Sequence, residues 1–91
     1  MALGIYFAHE GLTTEKYETA IDKLGAAGAG APKDRTLHVA LETYGAIQVF
    51  DIWESQEDFE AFGSTLMPIL EELGVGPKEP MVTTVCNVIQ G

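Results

Sequence analysis

His38 is the residue in this chain best placed to do chemistry. It falls mid-strand between apolar neighbours, and imidazole is the side chain that gives or takes a proton near neutral pH. Asp51, on the next predicted strand, can orient that imidazole, so the pair could act as a base toward an acidic phenol or enol. Tyr6 and Trp53 offer flat walls for a ligand, and aromatic side chains also serve as interface anchors. Asn87 and Cys86 compete for one position on the last strand. His9, at the end of the first strand, reads as a rim residue, and Cys86 as a small buried hydrophobe. Glu54, beside a helix cap, reads as solvated. The 2 histidines and 1 cysteine lie on separate elements without a local pair, so no metal-ligand spacing exists and no cofactor is implied.

The elements that must position these residues follow from periodicity. Ile5, Tyr6 and Phe7 mark a first strand over Leu3 to His9. Thr13 is an N-cap, with Leu12 and Tyr17 in the positions of a hydrophobic staple. Tyr17, Ala20, Ile21 and Leu24 then give a helix one apolar face, and Gly25 supplies its stop. The small residues from Gly25 to Asp34 form a surface loop. A phosphate cradle is disfavoured there because the glycines follow a helix and no Gly-Lys-Ser/Thr closes the motif.

Strand two alternates over Thr36 to Glu42, with Leu37, Val39 and Leu41 on one face and His38 on the other. Tyr44-Gly45 makes a turn, and strand three, Ala46 to Trp53, is nearly apolar on both faces. Ser55 caps a second helix carrying Phe59, Phe62, Leu66, Ile69, Leu70 and Leu73. Pro68 should bend that helix or restart it, and Gly74 ends it. A loop over Gly74 to Pro80 leads to a last strand, Met81 to Ile89.

The order β, α, β, β, α, β predicts a single ferredoxin-like α+β domain over residues 1–91. Its four-stranded antiparallel sheet has the order 4-1-3-2, with both helices on one face. The other face is bare, and 46 % of the residues are hydrophobic. A second copy closing that face gives a homodimer. If Ile5, Phe7, Leu37, Val39, Leu41, Phe50 and Ile52 face the helices, then Tyr6, His38, Val49, Asp51 and Trp53 line the space between the two sheets. A one-residue slip of strand three would exchange Asp51 and Trp53 for Phe50 and Ile52.

The phrase Val49-Phe-Asp-Ile-Trp-Glu-Ser55, together with Phe59-x-x-Phe62 and Leu66-Met-Pro68 in the following helix, resembles the dimeric α+β barrel superfamily. More narrowly, it resembles small proteins related to antibiotic-biosynthesis monooxygenases. The resemblance implies the dimeric barrel. It also implies a cofactor-independent monooxygenase-like enzyme acting on a small aromatic or flat metabolite. Haem-degrading members carry a ligating histidine on the second helix; between Ser55 and Gly74 this chain has none.

Composition narrows the partners. Fourteen acidic and 5 basic residues give a formal charge of -9, which repels nucleic acid and anionic membranes. No apolar run reaches membrane-spanning length and no basic leader precedes the first strand, so the expected compartment is the cytoplasm. Two other readings compete with an enzyme. One is a non-catalytic ligand-binding or interaction module with a packed barrel interior. The other is a regulatory domain of the ACT type, which shares the element order but is normally attached to an enzyme.

Overall fold

The computed structural model describes residues 2–76 and 78–91; Pro77, inside the loop expected over Gly74 to Pro80, lies outside them. The elements are β1 (Leu3–Phe7), α1 (Thr14–Ala26), β2 (Arg35–Thr43), β3 (Ala46–Trp53), α2 (Gln56–Glu72) and β4 (Met81–Thr84). All pairings are antiparallel and the strand order is β2-β3-β1-β4, the expected topology read from the other edge.

Local chemistry sets most boundaries. The Thr13 hydroxyl accepts from the Lys16 N–H at 3.2 Å, and the Ser55 hydroxyl accepts from the Asp58 N–H at 3.2 Å, each satisfying an otherwise orphaned helix donor. α1 runs through Gly25, and the residue that turns the chain left-handed is Gly28, with φ 78°. The Gly28 and Ala29 N–H groups donate to the Gly25 and Leu24 carbonyls there, which closes the helix end. α2 continues through Pro68 without interruption. Ser64 and Pro68 are both exposed, so water can take the place of the donor that proline removes from the Ser64 carbonyl.

Two strands are shorter than their composition suggests. β1 stops at Phe7 because β3 changes partner: Val49 pairs with Phe7, but the Ile47 N–H donates to the Leu12 carbonyl at 2.9 Å and Ala46 bridges to Thr13. Ala8 and His9 are thereby released from the ladder. β4 ends at Thr84, which lies opposite Leu3, and the Val85 N–H closes the ladder on the Ala2 carbonyl. Residues 85–90 then run along the sheet face away from the helices, where Val85, Val88 and Ile89 share a hollow with Leu37 and Ile52.

Register decides which face each side chain takes. Ile5 pairs with Asp51, Phe7 with Val49 and Leu3 with Trp53, and directly paired residues share a face. Trp53, Ile5 and Phe7 pack with Leu24, Phe62 and Leu70 of the two helices. Val49, Asp51 and Trp53 therefore face the helices, and with them His38, paired to Asp51. Tyr6, Leu37, Val39, Leu41, Phe50 and Ile52 take the open face. This corrects the expected assignment of Leu37, Val39, Leu41, Phe50 and Ile52 to the helix side. Either phase of β3 is apolar enough to be core. Trp53, 0 % exposed, offers the most surface to bury, and it takes the helix side.

Candidate functional site

Asp51 is the anchor of the site. It is 2 % exposed, and both carboxylate oxygens accept hydrogen bonds. Oδ1 is 2.6 Å from His38 Nδ1, and Oδ2 accepts from the Trp53 indole N–H at 3.3 Å. The first contact is short, as expected when an ionised acceptor is involved. On the other side of the imidazole, His38 Nε2 lies 2.7 Å from the Tyr17 hydroxyl, and the two ring planes are nearly parallel, at an interplanar angle of 8°.

The direction of this chain follows from its ends. A carboxylate can only accept, so His38 Nδ1 carries the hydrogen that points at Asp51. A neutral imidazole then has a bare Nε2, to which the Tyr17 hydroxyl donates. Burial raises the Tyr17 phenol above its ordinary value; the Arg35 charge pulls it back and the Asp51 charge adds to the rise. The phenol therefore keeps its proton at neutral pH. Tyr17 Oη, His38 and Asp51 form one oriented relay in which each O–H and N–H donor has an acceptor.

The relay opens into a cavity of about 50 Å³ between sheet and helices, lined by Phe7, Leu24, Val49 and Phe62 around Tyr17 and His38. That is room for a few waters and well short of the ~150 Å³ void that takes a benzene ring. Ile21 and Leu66 are also part of the wall, and Ile21 is partly exposed. A flat ligand would have to displace them. Arg35 reaches the same wall, its guanidinium 5.6 Å from the centroid of the Phe62 ring and 3.3 Å from the Gly30 carbonyl.

Of the residues singled out in sequence, the structure brings together His38, Asp51 and Trp53 and separates Tyr6 and Asn87 from them. Tyr6 is on the opposite face, and Asn87 sits in the exposed 85–90 segment beside Phe50 and Ile52. The site lies between sheet and helices, not against the open face. Cys86 is exposed rather than buried, because the ladder ends before it. His9 is enclosed rather than at a rim. Tyr17 is expected from the sequence only as a staple and apolar-face residue of the first helix; its signal is a hydroxyl-bearing ring on an otherwise aliphatic helix face. Among the described residues no group of three or more His, Cys, Asp or Glu side chains could hold a metal ion, and no helix is long and apolar enough to cross a membrane.

With this geometry in view, solved structures place the fold. A protein of Chloroflexus aurantiacus J-10-fl, assigned by its name to the antibiotic biosynthesis monooxygenases, superimposes with a TM-score of 0.64 at 15 % identity, over 99 % of this chain and 98 % of that one. The chain shares its ferredoxin-like α+β fold with that protein. Rv0793 from Mycobacterium tuberculosis matches with a TM-score of 0.55 at 12 % identity, over 98 % and 95 % of the two chains. A conserved protein from Methanosarcina mazei Go1 matches with 0.56 at 11 %, over 91 % and 89 %. No family profile and no curated protein matches the chain. At such identities the fold is shared and the chemistry of its site must be argued from this chain's own residues.

Proposed function

We propose that this chain is a homodimeric, cofactor-independent monooxygenase-like enzyme acting on a small aromatic or otherwise flat metabolite. The observation that carries the reading is an oriented Tyr17–His38–Asp51 relay ending in an apolar cavity. Tyr17 Oη takes a proton from an acidic phenol or enol as its own proton passes to His38 Nε2. Asp51 then steadies the imidazolium that forms. The resulting anion can reduce oxygen by itself: a CH₂ group becomes a carbonyl and the second oxygen atom leaves as water. The substrate supplies all four electrons, so no external reductant is required.

Oxygen uptake with polycyclic phenols and cyclic 1,3-diketones tests this. The expected outcome is one oxygen consumed per substrate converted, without hydrogen peroxide accumulating. A second reading is supported by the small cavity: a non-catalytic module whose interior is filled by its own side chains. Compounds that bind without any oxygen uptake above the protein-free rate would favour it.

The dimer is proposed on the open face. Tyr6, Leu37, Val39, Leu41 and Phe50 lie on that face, where residues 85–90 lie against Leu37 and Phe50 but leave Tyr6, Leu37 and Leu41 well exposed. A second copy laid face to face would bury a surface of the kind that stable dimers use, on the order of 1,200 Å² or more in total. Phe50 pairs with both Tyr6 and Val39 and so sits at the middle of it. Sedimentation at micromolar concentration is expected to give a dimer for the natural chain and a folded monomer for Phe50→Lys. A monomeric natural chain would remove the dimer from this proposal.

A further inference from the structure

Apart from the relay, one polar side chain is poorly accounted for. His9 is 7 % exposed, and neither ring nitrogen has a hydrogen-bond partner among the described residues. Its ring stacks on Phe7 at 5.3 Å with an interplanar angle of 23°. Its backbone is held by the Leu12 N–H on the His9 carbonyl at 3.3 Å, and the neighbouring Glu10 carbonyl accepts from Gly76 at 2.9 Å. The imidazole is thus kept in place without being used. Leaving a buried polar group unpaired costs roughly 1 to 3 kcal/mol, and native proteins do so sparingly. A phenylalanine would stack as well and carry no such cost.

The position of His9 suggests what the cost is for. It lines the relay cavity and also a second hollow of about 310 Å³, formed with Met67, Leu70, Glu71, Val75 and Gly76. His9 and Leu70 are the wall common to both. We propose that this hollow is the outer part of the ligand site, that His9 is its hydrogen-bonding anchor, and that the ligand is a neutral flat molecule carrying a hydroxyl or carbonyl group at the end remote from the relay.

The chemistry of the ligand follows from the charges around the ring. Burial lowers the proton affinity of His9; the nearby Gly76 backbone, which makes no well-formed hydrogen bond to the ring, pulls the other way, and the Lys78 charge adds to the lowering, so the ring is uncharged and offers one donor and one acceptor. Glu71 lines the hollow and Glu10 adjoins it, and with an overall charge of -9 they disfavour an anion. The apolar walls disfavour anything strongly hydrated. The inference rests on the cavity being a ligand site, as proposed above, but on no reaction occurring there.

The test uses 2-naphthol, with 2-methylnaphthalene as the probe lacking the hydroxyl, and follows the histidine ring nitrogens by NMR. 2-Naphthol is expected to shift the His9 ring signals and the Met67 and Gly76 amides with one common Kd, about tenfold tighter than 2-methylnaphthalene. In His9→Phe that preference should vanish while Tm rises by about 4 to 8 °C, since an unpaired polar group has been removed. His9→Asn should keep part of the preference. A preference that survives in His9→Phe, or a Tm that falls, overturns the inference. Binding seen at Tyr17 and His38 but not at His9 also overturns it and leaves the proposed function standing. No binding of either probe removes both.

Discussion

Asp51→Ala is expected to cost about 1 to 3 kcal/mol of stability for each buried donor it leaves unpaired. Asp51 is almost fully enclosed and serves two donors, His38 Nδ1–H and the indole N–H of Trp53. Alanine leaves the indole donor without a partner in a place where water does not reach it, since Trp53 is 0 % exposed. For a domain of this size, total stability is only about 5 to 15 kcal/mol, so the variant should stand near the edge of folding. Asp51→Asn should be milder, because its amide oxygen still accepts one bond. Its amide nitrogen, however, must then face the second donor. The measurement is the urea midpoint of each variant at unchanged denaturant slope. Equal losses in the two variants would mean that packing, not hydrogen bonding, is what Asp51 contributes.

His38→Ala is expected to lower turnover of an oxidisable phenol or enol by about 10² to 10⁴-fold, the usual contribution of a positioned acid or base. It should also lower stability, since the almost fully buried Asp51 carboxylate loses its 2.6 Å hydrogen bond, so turnover is compared per folded molecule. Tyr17→Phe should lose less. Removing the hydroxyl uncovers His38 Nε2 toward the same cavity, so the imidazole can take the substrate proton directly. Because burial holds the Tyr17 phenol above its ordinary value, no limb of the pH–rate profile below about pH 10 should belong to it. A larger loss for Tyr17→Phe than for His38→Ala would show that the phenol acts by itself and that the relay is structural.

Much of the pairing behind this site was legible in the sequence. A two-residue turn at Tyr44-Gly45, with φ of 51° and 81°, is the primed type that joins hairpin strands tightly. Counting back equally from it sets Thr43 against Ala46 and, five pairs further on, His38 against Asp51. The partnership needed only the turn. The face did not follow in the same way, because β3 is apolar in both phases and hydrophobic alternation carries no information there. Only the choice of Trp53 over Phe50 and Ile52 for the helix side resolves it, and that depends on how large rings from α2 fill the interior, with Trp53 meeting Phe59 and Phe62.

Tyr17 was hidden for a related reason: a helix face shows which residues are buried, not which polar atom will meet a strand 21 positions later. His9 was misplaced because β1 loses its partner at Phe7, and that handover to Leu12 has no local signature.

The alternation along β3 divides its residues between two neighbourhoods. Ile47, Val49, Asp51 and Trp53 answer to the helix-side interior, where Val49 and Asp51 line the cavity, while Gln48, Phe50 and Ile52 answer to the open face. The strand is thus a shared boundary whose alternate residues serve different surroundings. Drift in the second set can remodel association while the relay stays intact, and changes in the first can retune the pocket without disturbing association. Such a layout would let descendants of one ancestor diverge in substrate and in assembly independently, which suits a fold whose structural neighbours retain its shape at 11 to 15 % identity.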